Sequence, residues 1–355
     1  MSVSFPEISP TMSALTLVEP GPTPRLTMTH RPTPTPGPGE VLLRVDACGF
    51  CHHDLLVISG VLRRGVAAGV TLGHEITGTV VATAPDVDGV EPGGRVVSLL
   101  TAACGRCERC LAGNEHRCLH GAGVGHGRDG GFADYVALPA SALVPVPDAI
   151  PPEQAALLAC PAGVAMSAVS AASIAPTDTV VVTGAGGGLG AHAVQFAATQ
   201  GAQVIAVTTS PDKISGLESL GASVVIDAND GPDFSEIVMA LTDDAGADAL
   251  IDTVGPPLWP TTLRCLAQYG RMALLGDVTG EAVPLRLAEV IFRDAHILGV
   301  SGASRSTLQQ TVDMAATGQI RPVVSDTLPL TPEGIYEAIR LVSGRRPLGR
   351  VVLTP

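Results

Sequence analysis

The sequence predicts an α/β protein that combines a doubly wound parallel sheet with a second, mainly β domain carrying a cysteine-rich lobe at about 101–120. Two observations predict this architecture. From about residue 150, apolar β-type runs alternate with helical stretches, as in parallel sheets with crossover helices. Before that point, short apolar runs are separated by glycine and proline turns, which is typical of antiparallel or mixed β structure.

The composition supports two ordered domains. The chain has 355 residues, of which 46% are hydrophobic and only 15% are charged. This length exceeds the usual size of one domain, and the apolar content is sufficient for large cores. The net charge of −13 disfavours nucleic acid or an anionic membrane as a main partner, so we expect a small-molecule substrate.

We expect a cytoplasmic protein. Residues 1–16 lack the basic region and long apolar run of a secretory signal. The sequence also shows no uncharged apolar stretch of about 18 residues, which a membrane-spanning helix needs.

The strands of the first domain are predicted from its apolar runs. Residues 20–39 are rich in proline and glycine, and we interpret them as a loop inside a β domain rather than a disordered tail. The predicted strands are 41–45, 77–83, 95–100, 132–138 and 142–146.

Six apolar runs with helical stretches between them predict the doubly wound sheet. The runs are 179–183, 203–207, 223–226, 248–252, 271–275 and 295–300, and the helical stretches are 188–200, 212–220, 233–242 and 258–268. A further helix is predicted at 304–317 and a last strand at 350–353. We therefore assign 158–299 to the parallel-sheet domain, and 1–157 with 300–355 to the mainly β domain.

A glycine-rich segment follows the first strand of this sheet and opens its first helix. Small residues there let a pyrophosphate approach the backbone, and the helix N-terminus offers free N–H groups. Glycines often serve only a tight turn, but the strand before and the helix after favour a dinucleotide-binding loop. The candidate cofactor-binding residues are Gly184, Gly186, Gly187, Gly188, Leu189 and Gly190.

The residues after the second strand favour NADP(H) over NAD(H). An NAD site usually carries an acidic residue there to bind the ribose 2′-hydroxyl, but this chain has Thr208. Thr208, Thr209 and Ser210 can donate hydrogen bonds to a 2′-phosphate. Lys213, the only lysine among 21 basic residues, can supply charge. Alternatively, Lys213 decorates an exposed helix start and its uniqueness reflects codon bias, and the neighbouring Asp212 weakens the phosphate interpretation.

Four cysteines lie close together in the cysteine-rich lobe. Cysteines separated by two residues make poor disulfides and suit tetrahedral thiolate coordination. Disulfides are the alternative, but without an export signal a closed structural zinc site is the better interpretation. The predicted ligands are Cys104, Cys107, Cys110 and Cys118, and Arg106, Arg109 and Arg117 can offset the charge of the thiolates.

A second set of ligand types is dispersed along the first domain and its boundary. Cys51, His74 and Cys160 offer two thiolates and one imidazole. Any one of them alone is more often structural. Together they provide three zinc ligands with a fourth position open, which is the arrangement a catalytic zinc requires.

Taken in order, these motifs resemble those of the zinc-dependent medium-chain dehydrogenases/reductases, which include alcohol dehydrogenases. The resemblance covers nearly the whole chain from about residue 14. It implies a Rossmann cofactor domain, a GroES-like catalytic domain, and hydride transfer between a nicotinamide and an alcohol or carbonyl compound at zinc. It rests on 49–54 (GFCHHD), 73–75 (GHE), the four-cysteine lobe, 130–135 (GGFADY), Cys160 and the glycine-rich loop.

The resemblance also implies roles for individual residues. Cys51, His74 and Cys160 correspond to the ligands of the catalytic zinc. Glu75 corresponds to a carboxylate that can exchange onto the metal. Asp54 corresponds to the residue that orients the ligand histidine.

Further roles concern the cofactor, the substrate and assembly. His52 and Arg350 correspond to residues that contact the cofactor pyrophosphate, and Val300 and Ser301 to backbone beside the nicotinamide. Leu100 matches a wall of the substrate pocket. Members of the family usually associate through the last strand of the cofactor domain, here 295–300, which implies a homodimer or homotetramer.

One position departs from the alcohol dehydrogenase pattern. Those enzymes carry Ser or Thr two residues after the first zinc ligand, where its hydroxyl relays the alcohol proton, but this chain has His53. A histidine that often continues the relay is replaced by Leu56. His53 can act as general acid/base, bind a substrate anion, or only shape the pocket.

A second resemblance leaves the reaction open. Residues 181–213, 251–255 and 297–323 are similar to the subset of this family that reduces acrylyl-CoA with NADPH, and that subset also keeps the zinc ligands. Alcohol and carbonyl interconversion is the leading expectation, and reduction of an activated alkene is the alternative. A non-enzymatic zinc-bound scaffold is disfavoured by the intact nucleotide loop and the open metal position.

Overall fold

The computed structural model describes residues 8–229 and 233–355 and divides into two compact units. The first unit runs through Cys160 and resumes at Ala303, and the second unit spans Pro161–Gly302. Both boundaries lie a few residues further along the chain than the positions assigned from the sequence.

The N-terminal part of the first unit is mainly β. Its strands are β1 (Thr11–Glu19), β2 (Arg25–Pro32), β3 (Glu40–Phe50), β4 (Glu75–Thr83), β5 (Arg95–Ser98), β6 (Thr101–Ala102), β7 (Ala122–Gly123), β8 (Tyr135–Pro139) and β9 (Leu143–Pro145). Its short helices are α1 (His52–Ile58), α2 (Glu108–Leu111) and α3 (Pro152–Ala155), with 3-10 turns at Glu115–Arg117, Ala140–Ala142 and Ala156–Leu158.

The second unit alternates strands and helices. Its helices are α4 (Pro161–Ala171), α5 (Gly188–Thr199), α6 (Ile214–Ser219), α7 (Ser235–Leu241), α8 (Trp259–Arg264) and α9 (Leu287–Ile291), with 3-10 turns at Pro211–Lys213 and Pro256–Leu258. Its strands are β10 (Thr179–Thr183), β11 (Gln203–Thr208), β12 (Val224–Asp227), β13 (Ala247–Asp252), β14 (Leu266–Leu274) and β15 (His296–Gly299). The chain then returns to the first unit as α10 (Arg305–Ala316), β16 (Val324–Pro329), α11 (Pro332–Ser343) and β17 (Arg350–Thr354).

In the described part of the second unit, the strands form one parallel sheet in the order β12-β11-β10-β13-β14-β15. Val181, Ile205 and Leu250 are fully buried, because helices cover both faces of such a sheet and favour continuous apolar strands. The chain direction across the sheet reverses between β10 and β13, and ligands of doubly wound folds bind at the carboxyl ends of strands at such a point. The predicted doubly wound sheet is confirmed.

The first unit contains a mixed sheet in the order β16-β17-β3-β4-β5-β9, with β8 also paired to β3. Strands β3 and β4 are antiparallel, and Gly49 near the end of β3 pairs with Glu75 at the start of β4. Because the two strands run in opposite directions, this register brings Cys51, just after β3, close to His74, just before β4. The sheet therefore places two predicted metal ligands at one edge.

The proline-rich stretch 20–39 was predicted to be a loop, but it contains strand β2, which pairs with β1. Its prolines stand at the ends of the strand, at Pro24 and Pro32, where a missing N–H does not interrupt the ladder. Leu26 is buried in the core of the unit. The prolines therefore delimit the strand rather than prevent it.

The helix predicted at 258–268 is too long. Helix α8 ends at Arg264, and β14 begins at Leu266, which pairs with Ala247. Tyr269 has a φ of 62° and donates its N–H to the carbonyl of Arg293, a conformation incompatible with a continuing helix. Strand β16 and helix α11 lie between residues 318 and 349, where no element was predicted.

Contrary to the expectation from the sequence, one stretch, Pro152–Ala171, is long and apolar enough to cross a membrane by length and composition. Within the protein, 72% of its most apolar window is buried. Burial of this kind is typical of a core helix.

Candidate active site and metal centres

The four cysteines of the lobe converge on one point. The sulfurs of Cys104, Cys107, Cys110 and Cys118 all lie within 4.8 Å of one another. The Cys107 sulfur is 3.5 Å from that of Cys110 and 3.9 Å from that of Cys118. A disulfide requires about 2.0 Å between sulfurs, whereas four thiolates about 2.3 Å from one ion lie about 3.8 Å apart. The lobe therefore has the geometry of a closed tetrahedral metal site.

The surroundings of this cluster act on its sulfurs in different ways. Hydrogen bonds from backbone N–H groups, first that of Leu119, lower the pKa of Cys107 to about 6. Burial raises the pKa of Cys110 to about 12. A bound divalent ion favours the thiolate form of every ligand, since coordination requires deprotonated sulfur.

The fold also brings together the second group of predicted metal ligands, which are dispersed along the sequence. Atoms of Cys51, His74, Glu75 and Cys160 lie within 4.8 Å of one another, and all four residues are buried. Cys51 is the N-cap of α1, His74 and Glu75 flank the start of β4, and Cys160 follows the 3-10 turn at 156–158. All four belong to the first unit.

Asp54 connects the start of α1 to His74. Its Oδ2 accepts the N–H of Cys51 at 2.8 Å, which satisfies a free donor at the helix N-terminus. Its Oδ1 lies 3.3 Å from Nδ1 of His74. A proton on Nδ1 facing this carboxylate would leave Nε2 of His74 as the metal-binding nitrogen.

Glu75 and Arg350 form a buried ion pair beside this set. Nη2 of Arg350 lies 3.0 Å from Oε1 of Glu75, and both side chains are buried. Burial raises the pKa of Glu75 to about 7, although the Arg350 charge acts in the opposite direction. Within this unit Arg350 neutralises Glu75, and its contact with cofactor phosphates stays a prediction.

The pKa shifts of the predicted ligands are those expected of a site that binds a cation. A hydrogen bond with Cys160 lowers the pKa of Cys51, and the same interaction with burial raises that of Cys160. Burial disfavours charge on His74, but Asp54 and Cys51 outweigh it and raise the His74 pKa. Two sulfurs and one imidazole nitrogen are the donors that zinc prefers. The residues present therefore fit a zinc ion, with Glu75 as an additional carboxylate nearby.

His53 lies next to the metal-ligand set. Its ring centroid is 5.2 Å from that of His74 and 5.1 Å from that of His126. Burial, followed by the neighbouring His74, lowers the pKa of His53. His126 was not predicted from the sequence, because a lone histidine in a glycine-rich loop carries no periodic or spacing signal.

In the second unit, the glycine-rich loop connects β10 to α5, and Gly187 is the N-cap of that helix. A Cβ on Gly190 would lie only 2.3 Å from the carbonyl oxygen of Gly184, so this position has room for glycine alone. The close packing leaves the first N–H groups of α5, from Gly188 and Leu189 onward, at the carboxyl end of β10. The loop thus has the form required of a pyrophosphate site.

The predicted 2′-phosphate residues lie at the end of β11. Thr208 is buried and its Oγ1 accepts the N–H of Ser210 at 3.1 Å, while Thr209 is exposed. Lys213 is not on an exposed helix start, because its side chain is only 6% exposed and packs against Gly186 of the glycine-rich loop. Its Nζ lies 3.5 Å from the Gly186 carbonyl oxygen.

The remaining predicted contacts are distributed over both units. His52 is exposed at the start of α1 in the first unit, and Leu100 adjoins β6 of the same unit. In the second unit, Val300 follows β15 and donates its N–H to Leu274, and Ser301 beside it is exposed.

Comparison with known proteins places the chain in a family. Residues 37–148 match the family described as alcohol dehydrogenase GroES-like domain, and residues 188–317 match the one described as zinc-binding dehydrogenase. An acryloyl-coenzyme A reductase of Sulfurisphaera tokodaii is 35% identical, over 96% of this chain and 99% of that protein. This chain belongs to the zinc-dependent medium-chain dehydrogenases/reductases.

Other members of this dehydrogenase/reductase family are similar over comparable lengths. An NAD-dependent alcohol dehydrogenase of the same organism is 33% identical, over 97% of this chain and 100% of that protein. The cobalt- and zinc-bound alcohol dehydrogenase of Pyrobaculum aerophilum is 30% identical with a TM-score of 0.88, covering 97% of this chain and 100% of the other. This medium-chain dehydrogenase/reductase is thus an alcohol dehydrogenase-like oxidoreductase, as the sequence motifs predicted.

Proposed function

We propose that the protein is a zinc-containing, NADP(H)-preferring oxidoreductase that interconverts an alcohol with an aldehyde or ketone. The observation that carries this proposal is the buried convergence of Cys51, His74 and Cys160, with Asp54 against His74. When bound, zinc at this set supplies Lewis-acid polarisation of a substrate oxygen, and a nicotinamide supplies or accepts the hydride.

The residues of the chain have distinct tasks in this proposal. Cys51, His74 and Cys160 hold the ion, and Asp54 fixes the orientation of the His74 ring. The Glu75 carboxylate is neutralised by Arg350, so it does not add a full negative charge to the site. Formation of the alcohol also requires a proton, which His53 or a water molecule supplies.

A substrate panel with both nicotinamides tests this function. Zinc-loaded protein should oxidise NADPH in the presence of small aldehydes or ketones, and should reduce NADP⁺ with the corresponding alcohols. Inertness toward all of these compounds, combined with consumption of acrylyl-CoA or crotonyl-CoA, would replace the carbonyl proposal with the second candidate below. A scaffold protein would turn over none of them.

The second candidate is NADPH-dependent reduction of an activated alkene such as an enoyl-CoA. Two observations favour it. The position of the alcohol-proton hydroxyl is occupied by His53, and relatives named acryloyl-coenzyme A reductase from two organisms are 35% identical to this chain. In this reaction the hydride goes to the β-carbon and a proton from water to the α-carbon, so no proton has to be relayed to an alkoxide oxygen.

The cofactor preference is predicted to depend on Thr208. Thr208→Asp should lower kcat/KM for NADPH by about 100-fold or more, because a carboxylate beside a 2′-phosphate repels it, and should improve NADH use by binding the ribose hydroxyl. Lys213→Ala should raise the KM for NADPH about tenfold and change that for NADH little, since one charge-assisted hydrogen bond is lost. Steady-state kinetics of each variant with NADPH and with NADH measures both changes.

Gln203→Asp is the control, because Gln203 is exposed at the opposite end of the same strand. The assignment fails if Thr208→Asp and Gln203→Asp change the NADPH kinetics equally. An unchanged KM for NADPH in Lys213→Ala would remove Lys213 from the phosphate site.

We propose that the second unit also mediates dimerisation, through β15 at the edge of its sheet. Leu287, Ile291 and Phe292 before this strand are 66%, 64% and 78% exposed, which is unusual for large apolar side chains. A second copy would cover them and pair the edge strands. Light scattering should give at least a dimer for the wild type and a monomer for Phe292→Asp, whereas an unchanged mass in this variant would contradict the assignment.

A further inference from the structure

His53 and His126 are far apart in the sequence, but their rings are neighbours beside the metal-ligand set. The ring centroids of His53 and His126 are 5.1 Å apart, and that of His53 is 5.2 Å from that of His74. His53 thus neighbours both the candidate metal ligand and His126. All three residues belong to the first unit.

Each of the two rings keeps a buried nitrogen that has no hydrogen-bond partner among the described residues. These atoms are Nε2 of His53 and Nδ1 of His126. Buried polar atoms in native proteins are nearly always hydrogen-bonded, since an unpaired one costs free energy. Two such atoms on adjacent rings therefore mark a place where a polar partner is missing.

The loop that carries His126 is built to hold the ring in this position. A Cβ on Gly123 would lie 1.8 Å from Cε1 of His126, so the ring packs where only glycine leaves room. The Gly127 N–H bonds the Gly123 carbonyl at 2.8 Å, and the Ala67 N–H bonds the His126 carbonyl at 2.7 Å. Fixed backbone contacts of this kind are typical of a preorganised binding residue.

The same loop adjoins the predicted wall of the substrate pocket. Val124, two residues before His126, donates its N–H to the carbonyl oxygen of Leu100 at 3.0 Å. Gly123 also pairs with Thr101, which follows Leu100. The loop therefore connects His126 both to the residue expected to line the substrate pocket and, through His53, to the metal-ligand set.

We infer that His126 is a substrate-binding residue, whose Nδ1 joins Nε2 of His53 in hydrogen bonding a carbonyl oxygen of the substrate. The inference rests on the proposed function only in that a carbonyl compound, whether an aldehyde, a ketone or an acyl thioester, enters this site. In each class that oxygen accepts hydrogen bonds as soon as the substrate is bound. Neutral imidazole has one N–H donor, so the two rings supply up to two donors to this oxygen.

Substitutions can distinguish the two ring nitrogens of His126, because Asn and Gln each replace only one of them. In the same rotamer, the side-chain nitrogen of Asn takes roughly the place of histidine Nδ1, and that of Gln the place of Nε2. His126→Leu should weaken substrate binding about tenfold, because one hydrogen bond to a polar group is lost. His126→Asn should stay within about threefold of the wild type, and His126→Gln should resemble His126→Leu. His120→Leu, at an exposed histidine, is the matched control.

Two readouts separate binding from structure and from turnover. The KM and kcat of each variant are measured with the substrate that the panel identifies. The Kd of propionamide, a carbonyl compound that does not accept hydride, is measured by calorimetry with zinc-loaded protein and NADPH. For both the KM and the Kd of propionamide, we expect the wild type to bind most tightly, the Asn variant next, and the Gln and Leu variants most weakly. The kcat should change less than the KM.

Three results would overturn the inference. The first is absence of propionamide binding to the wild type, and the second is wild-type affinity in His126→Leu. The third is an equal loss in the Asn, Gln and Leu variants together with a lower Tm, which would show a structural role. If the wild type turns over no compound of the panel, the proposed function is lost, but the propionamide affinities still decide the role of His126.

Discussion

Cys160→Ala is expected to lose one of two zinc ions per chain and to reduce turnover at least about 1000-fold. Cys160 supplies a buried sulfur to the set with Cys51, His74 and Glu75. Without it only one thiolate remains, and Lewis-acid activation worth several kcal/mol is lost together with the ion. Elemental analysis and steady-state kinetics on the same preparation measure both effects.

Cys265→Ala is the matched control for this variant. Cys265 is also a buried free cysteine, but it lies in the core of the second unit outside both ligand sets. Its replacement should keep two zinc ions and full turnover, with only a modest loss of stability from the missing sulfur. Retention of both ions by Cys160→Ala would show that Cys160 is not a ligand.

Cys107→Ser is expected to lose the other zinc ion and to open the cysteine-rich lobe. The lobe has few apolar contacts besides its own cysteines and Ala103, so the metal provides most of its cohesion. Structural zinc contributes its binding energy to folding directly, and we expect a loss of at least about 3 kcal/mol in the stability of the lobe. The zinc ion held by Cys51, His74 and Cys160 should remain.

Limited trypsin digestion reports opening of the lobe directly. Arg106, Arg109 and Arg117 are exposed, but their peptide bonds lie in a segment that the four cysteines hold together. Mass spectrometry should detect cleavage after these arginines in Cys107→Ser and not in the wild type. Leu111→Ser, at a side chain 77% exposed in the same lobe, should resist trypsin as the wild type does. Equal resistance of Cys107→Ser would contradict a structural role for the metal.

The parallel sheet could be predicted from the sequence because its strands are buried on both faces. Runs such as 179–183 and 203–207 are therefore continuously apolar and stand out between helices. Strand β2 could not be predicted in this way, since Leu26 is its only buried residue and prolines flank the strand. The boundary between α8 and β14 depends on the pairing of Leu266 with Ala247, which a local pattern does not contain.

The metal ligands could be identified because zinc chemistry restricts their residue types and their spacing. The contact of Arg350 with Glu75 could not, because it depends on β17 lying next to β3. His126 was missed for the same reason, since only the folded loop brings it to His53. The sequence thus predicts ligands from their chemistry, whereas neighbours supplied by long-range packing require the structure.

The position of β17 in its sheet has a consequence for the order in which the chain folds during synthesis. The last residues of the chain form an internal strand between β16 and β3, although β3 is made near the start. The second unit is continuous in sequence and can fold as soon as it has left the ribosome, whereas the first is complete only after β17 has been made. Until then Glu75 lacks the positive charge of Arg350. A truncation before Arg350 would therefore remove an internal strand from the sheet of the first unit and leave Glu75 without its buried counter-charge.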